Sequence, residues 1–348
     1  MKNYPFSNEN ACLVLDDLAS QYFINSPLEE GYLVLADNKT CFIDARSYSG
    51  VKDNLSNNGI EVRLLKDVSD VKNFLTEIKV KNLYLDFSKT SVKEYNEFLS
   101  WGFLVKDSSD IISEMRSQKT SEEVEKTLLA CEIAEKALYS ALESVKSGIT
   151  ELELKSIIEK KILDFGGEGT SFETIVAFSK NSAVPHHKSN DTKLEKDMPI
   201  LIDMGAKYKG YSSDITRTVF FGNPPKKFID CYNAVLRANL MAQSSIKVGD
   251  MTDTADGYAR NVLKEMGIEK YFTHSLGHGI GLEVHEYPTL SPKRKQELKE
   301  NMLFTIEPGV YFDGEFGIRI EDTVLLTNDG IKRLFRDDKE LMIIKEKI

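Results

Sequence analysis

The feature that most limits the fold of this chain is a plan written twice. Thr120 with Glu123, and then Thr150 with Glu153, are capping boxes that open two consecutive amphipathic helices, the first run ended by Gly148 and the second by Gly166-Gly167. Roughly a hundred residues later, Pro224-Pro225 precedes a long helix through Leu240 and Ile246, and Gly249 and Thr252 lead into another that stops near Gly267. Strand-rich sequence follows each helix pair. Such a chain is expected to form two related α/β halves facing each other, with a site at their junction. The stripe Val124, Leu128, Cys131, Leu138, Leu142 and Val145 has helical spacing and belongs to core packing.

The sequence before this plan has a different rhythm. Short apolar runs (Leu13 to Leu15, Tyr32 to Ala36, Cys41 to Ile43, Glu61 to Leu65, Leu83 to Asp86 and one near Phe103) read as strands. Helices are expected near Tyr48 to Asn57, Val68 to Ile78 and Val92 to Ser100, which makes a small α/β domain. It carries no GxGxxG after its first strand, no Walker loop and no histidine, so no chemistry is assigned to it. The polar segment Lys106 to Lys119 is the expected boundary, giving domains 1–115 and 116–348. A chain of 348 residues is long enough for two cores.

Composition removes several partner classes. With 45 Lys plus Arg against 55 Asp plus Glu, and no dense basic run, nucleic acid and anionic membrane are poor expectations. Cys12, Cys41, Cys131 and Cys231 form no CxxC pair and read as buried thiols in a reducing compartment. The segment Met1 to Asn10 is polar, and no apolar run reaches the length of a signal core or membrane span. A cytoplasmic location is expected.

Carboxylates carry the chemistry. Ile200 to Gly205 reads as a strand and Tyr211 to Phe221 as its hairpin partner. A turn centred between Tyr208 and Lys209 would set Asp203 directly opposite Asp214, with Cβ atoms roughly 5 Å apart. Arg217 could pair with one of them. Glu307 ends a second apolar run, and Glu321 follows Arg319 on one face of another strand. Four carboxylates on sheet positions call for cations.

The stretch from Leu276 to Glu286 adds imidazoles. His278 and His285 lie among Gly277, Gly279 and Gly281, with His274 upstream; His186 and His187 complete the set of five histidines. The glycines exclude a helical His274/His278 metal pair, and Pro288 with Thr289 excludes a zinc-protease helix after His285. Oxygen-rich ligands with one imidazole suit two hard divalent ions, manganese, cobalt or zinc, whose charge balances four carboxylates. Two such ions, about 3.5–4 Å apart, activate water and polarise a carbonyl.

Taken together, Asn181-Ser182-Ala183-x-Pro185-His186, Asp203, Gly210-Tyr211-x-Ser213-Asp214-x-Thr216-Arg217-Thr218, Gly277-His278-Gly279-Ile280-Gly281-Leu282-x-x-His285-Glu286, Glu307-Pro308-Gly309-x-Tyr311 and Gly317-x-Arg319-Ile320-Glu321-Asp322 resemble the Xaa-Pro peptidases, the aminopeptidase P and prolidase branch of the pita-bread metallopeptidases. The motifs run from about Thr120 to the end of the chain. The N-terminal domain resembles the family's smaller domain chiefly through Phe42-Ile43-Asp44-Ala45-Arg46-Ser47-Tyr48.

The resemblance implies an α/β chain with a small N-terminal α/β domain and a C-terminal pita-bread catalytic domain. It implies two divalent ions, manganese first, held by Asp203, Asp214, His278, Glu307 and Glu321, with Asp214 and Glu321 bridging. It further implies that a hydroxide between the ions attacks the Xaa-Pro bond while Glu307 moves its proton, and that His186 and His285 contact the substrate or stabilise the tetrahedral intermediate. His274 would line the same pocket, and Arg319 and Tyr311 would orient carboxylates at its substrate side. Small proline-containing peptides are the expected partners, and a homodimer the expected assembly. The departures are His187, where the family often has a small residue, and Lys196-Asp197, where Gly-Asp is common. A methionine-type aminopeptidase, a creatine-type hydrolase and a non-catalytic binding protein share the fold and are the alternative readings.

Overall fold

The computed structural model describes residues 4–28 and 31–346, and the chain divides into two compact units, Met1–Arg116 and Ser117–Ile348. In the first unit, β1 (Asn10–Val14), β2 (Gly31–Leu35), β3 (Lys39–Asp44), β4 (Glu61–Leu65), β5 (Asn82–Leu85) and β6 (Leu104–Asp107) form one sheet in the order β4-β3-β2-β1-β5-β6. Helices α1 (Asp17–Ile24), α2 (Ala45–Asn57), α3 (Ser69–Glu77), α4 (Val92–Leu99) and α5 (Ser109–Ser117) surround it. Leu13, Val34, Phe42 and Leu83 from the sheet share a core with Phe74 of α3 and Phe98 of α4.

Two helices differ from the sequence reading. The α1 helix starts where the Asp16 carboxylate accepts the Ala19 N–H at 2.8 Å, an N-cap without an apolar period to announce it. The α5 helix fills the polar segment read as a linker. Ile112 is the fully buried apolar residue on it, a stripe too narrow to register as periodic.

The second unit shows the duplication plainly. Helices α6 (Ser121–Leu142) and α7 (Glu151–Asp164) begin at the capping boxes of Thr120 and Thr150. They precede β7 (Gly169–Thr170), β8 (Ile175–Phe178), β9 (Met198–Met204), β10 (Ala206–Tyr208), β11 (Tyr211–Ser212) and β12 (Ile215–Phe221). Helices α8 (Lys226–Ser245) and α9 (Thr252–Glu265) then precede β13 (Gly277–Gly279), β14 (Glu286–Leu290), β15 (Leu303–Ile306), β16 (Gly309–Phe312), β17 (Phe316–Arg319), β18 (Asp322–Thr327), β19 (Gly330–Arg333) and β20 (Ile343–Ile344). A four-stranded sheet runs β20-β12-β9-β8, and a five-stranded one β14-β13-β15-β18-β19.

The two sheets form a middle layer between the helix pairs. Val219 and Phe221 of β12 enter the core of α6 and α7, while Phe220 between them enters that of α8 and α9. The repeat extends to single hydrogen bonds. Gly148 N–H donates to Leu194 O and Leu194 N–H to Ile149 O, both at 2.8 Å; Gly249 to Leu298 and Leu298 to Asp250 do the same at 2.8 Å. Both glycines hold positive φ, 84° and 90°, which a side chain would oppose. Asp203 stands nine residues after Leu194, and Glu307 nine after Leu298. The duplication therefore places one carboxylate at the end of the matching strand in each half.

One register differs from expectation. Tyr208 pairs with Tyr211 and Asp203 with Thr216, so the turn is Lys209-Gly210, one place later than read. Both turn residues have positive φ, 47° and 79°, the two-residue hairpin turn whose twist suits the strands. Asp214 is consequently diagonal to Asp203 on the same face, not opposite it. The diagonal relieves the direct like-charge pairing and leaves room between the carboxylates.

Candidate active site

Asp203, Asp214, His278, Glu307 and Glu321 converge where the two halves of the second unit meet. Ligating atoms of Asp214, His278 and Glu321 all lie within 4.8 Å of one another. His278 Nε2 is 3.6 Å from Asp214 Oδ2 and 3.4 Å from Glu307 Oε1. The imidazole is oriented by its other nitrogen: Nδ1 lies 3.1 Å from Gly279 O, and a carbonyl only accepts, so Nδ1 carries the proton. Nε2 therefore turns a lone pair toward two carboxylates. Close packing makes this possible, since a Cβ on Gly277 would sit 1.9 Å from Thr305 O.

Hydroxyls that the sequence reading passed over hold two of the carboxylates. Thr216 Oγ1 donates to Glu321 Oε2 at 2.5 Å, and Thr305 Oγ1 to Glu307 Oε1 at 3.1 Å. Each threonine lies two residues from an acid along its strand, Asp214-x-Thr216 and Thr305-x-Glu307. The period of two was the available signal. Arg319 donates from Nη2 to Asp203 Oδ2, from Nε to Thr216 Oγ1 at 3.0 Å and from Nη1 to Tyr311 Oη at 2.8 Å. Tyr311 continues the chain to His274 Nε2 at 2.9 Å, whose Nδ1–H is taken by Ser275 O at 2.8 Å. Tyr311 thus joins Arg319 to His274 rather than reaching a carboxylate itself.

His285 packs against His278, with ring centroids 4.2 Å apart and the planes tilted by 50°. His186 is exposed and within electrostatic reach of His274, His285 and Glu307. Arg217 pairs with neither Asp203 nor Asp214: it binds Asp322 at 2.8 Å and Asp337 at 2.6 Å, and gives Nη1 to the carbonyls of Thr216 and Glu321. His187 turns away, to Glu151. Asp197, at φ 64°, accepts the Asn223 N–H at 2.6 Å in the turn before β9.

These residues suit divalent cations. Asp203 Oδ1 and Asp214 Oδ1 are buried with no hydrogen-bond partner among the described residues, an arrangement that costs free energy unless something positive meets them. Burial, then the charges of Glu321, Asp203 and Glu307, hold the Asp214 carboxyl well above the usual range. Burial, then the charges of Glu307 and Asp203, raise Glu321 likewise. Glu307 is pushed up to about 7 by burial, against the Arg319 charge. Burial lowers His274 to about 3, with Arg319 adding to it, and lowers His278 and His285. Neutral imidazoles beside crowded carboxylates form a donor set rather than a salt-bridge network.

A pH dependence follows for metal-stripped protein. Between the ordinary Glu value of 4.5 and about 7, folded Glu307 keeps a proton that the unfolded chain has lost. The folded state binds more protons, so stability falls as pH rises through that window. Denaturant melts of EDTA-treated protein should show the fall, and saturating manganese should abolish it.

The chain is similar over most of its length to known metallopeptidases. The model of metallopeptidase family M24 matches residues 125–328. The Xaa-Pro dipeptidase of Pyrococcus furiosus is 36% identical over 325 residues, covering 91% of this chain and 90% of that one. An X-Pro aminopeptidase structure from Thermotoga maritima superposes with a TM-score of 0.90 at 32% identity, covering 97% of this chain and 98% of its own. A Xaa-Pro dipeptidase structure from Bacillus anthracis gives 0.93 at 30% identity, with 96% and 95% covered.

Proposed function

This chain belongs to metallopeptidase family M24, and from that premise we propose that it is an exopeptidase hydrolysing the bond between an N-terminal residue and a following proline. The observation that carries the reading is the cluster of Asp203, Asp214, His278, Glu307 and Glu321, in which Asp203 Oδ1 and Asp214 Oδ1 have no partner among the described residues and His278 Nε2 is directed inward. These five residues would hold two divalent ions per chain, and the oxygen-rich set favours manganese over cobalt or zinc. When bound, such ions supply the charge that lowers the pKa of a water and polarises a carbonyl.

The chain's own residues do the rest. Thr305 occupies Glu307 Oε1, so Oε2 is free to take the attacking water's proton and deliver it to the proline nitrogen as the bond breaks. That nitrogen has no N–H, so a strand-gripping peptidase lacks its usual handle, and a closed site with its own proton donor is needed. His285, kept neutral by burial, and His186 donate N–H to the substrate carbonyl as it gains charge. Arg319 holds Asp203 and Thr216 in place, and through Tyr311 fixes His274 at the pocket wall.

In this reading residues 1–115 are the family's smaller domain and 116–348 the catalytic one, the enzyme is a homodimer, and it works in the cytoplasm. Among the described residues no helix is long and apolar enough to cross a membrane, and all four cysteines are buried and free. Steady-state assay of Ala-Pro beside Ala-Pro-Ala with manganese tests the substrate class. Cleavage of Ala-Pro is expected. Release of alanine from the tripeptide as well defines an aminopeptidase P, and cleavage of the dipeptide alone a prolidase. Hydrolysis of neither, with metal bound, overturns the assignment.

A further inference from the structure

Glu151, the first residue of α7, is completely buried, and its carboxylate closes the loop that carries His186. Oε1 accepts the Phe178 N–H at 2.8 Å and Asn181 Nδ2 at 2.9 Å, both on the way into the loop. Oε2 accepts His187 Nε2 at 2.8 Å and the Asn190 N–H at 3.0 Å on the way out. One carboxylate thus spans the loop from end to end.

The flanks are tied independently. Gly317 N–H donates to Ser182 Oγ at 2.8 Å, and a Cβ on Gly317 would lie 1.9 Å from Ser182 O, so the entry is pressed onto β17, the strand ending in Arg319. Ser189 Oγ bonds both backbone groups of Val176 on β8, at 2.9 and 3.0 Å. Between these ties lie Ala183 to Lys188, with Val184 and His186 exposed at the tip. Among the described residues, His187 makes the side-chain tie from that tip to the body of the fold. It is also one of the two places, with Lys196-Asp197, at which this sequence departs from the family pattern.

We propose that His187 is a positioning residue: through Glu151 it sets the tip so that His186 faces His274, His285 and Glu307, and so sets the affinity for the Xaa-Pro substrate. The proposal rests on the reading of His186 as a substrate contact. A hydrogen bond from a ring N–H to a buried carboxylate restricts the residue beside it to one orientation, and its loss releases that residue to many. The cost should appear in ground-state binding more than in turnover, because Glu307 and the ligand set are held elsewhere.

The test uses full-length, manganese-loaded His187→Ala and His187→Gln, with Ala-Pro kinetics and hydrogen exchange of residues 183–188. His187→Ala should raise KM about tenfold with a smaller change in kcat, and speed exchange of the tip. His187→Gln, whose amide donates to the same oxygen, should recover most of both. On a His186→Ala background the His187→Ala substitution should cost nothing further. Unchanged KM and exchange in His187→Ala overturn the proposal, as does an equal loss on the His186→Ala background. Should His187→Ala fail to fold, His187→Gln is compared with the shorter His187→Asn, and identical KM and exchange overturn it. If wild type cleaves no Xaa-Pro peptide, the functional reading fails separately, and the exchange result alone decides whether His187 holds the loop.

Discussion

Glu307→Gln is expected to lower kcat on Ala-Pro by about 10²–10⁴-fold, the range that general acid-base catalysis supplies. Glutamine keeps the shape and can still accept the Thr305 hydroxyl. It cannot take a proton from water or pass one to a departing nitrogen. Because the carboxyl is pushed up to about 7 by burial, replacing it removes a poorly solvated charge, and the metal-free variant should melt no lower than metal-free wild type. Full activity in the variant at saturating manganese would remove Glu307 from the proton path.

The second large effect is expected from Asp214→Asn, in opposite directions with and without metal. Its Oδ1 is buried without a partner among the described residues, and its carboxyl is raised by burial and by Glu321, Asp203 and Glu307. Asparagine ends that repulsion while the backbone of residue 214 stays tied to Thr323, whose Oγ1 accepts the N–H at 3.2 Å and donates to the carbonyl at 2.9 Å. Stripped variant should therefore melt at or above stripped wild type. With manganese the order should reverse, because a ligand that binds only the folded state stabilises it more the tighter it binds, and on the proposed ligand set the variant lacks one carboxylate oxygen. Metal analysis should show fewer ions per chain, with activity falling accordingly. Unchanged stoichiometry would show that Asp214 is not shared between ions.

How much of this was legible in the sequence depended on whether the signal was local. Capping boxes at Thr120 and Thr150 act within one helical turn, and both helices begin there. The duplicated plan was visible as helix pairs, though its sharpest sign, the matched hydrogen bonds of Gly148 with Leu194 and Gly249 with Leu298, involves backbone groups that residue identity does not encode. Residue types in order pointed to the carboxylates and His278, but their geometry required the register. Reading the turn one residue early set Asp203 against Asp214, whereas Lys209-Gly210 supplies the two positive-φ positions that such a turn needs.

Misread residues were those whose partners lie far along the chain. Arg217 sits three residues from Asp214 but answers to Asp322 and Asp337, where it braces the carbonyl of Glu321 from behind. His187 stood out in the sequence only as a departure from the family pattern; its partner, Glu151, lies 36 residues earlier, and the turn in which its N–H reaches Val184 O at 3.1 Å sends its side chain there. The α5 helix escaped notice because a short helix with one fully buried apolar residue is held by its surroundings more than by its own period.

The cluster of Asp203, Asp214, His278, Glu307 and Glu321 is proposed to hold the cations on which Xaa-Pro hydrolysis depends. Its most direct test is to strip the protein with EDTA, add manganese back in steps, and follow bound metal and Ala-Pro cleavage in the same samples. Stripped protein should show no cleavage, and activity should rise with occupancy to a plateau at two ions per chain. Undiminished cleavage by the stripped protein would contradict it.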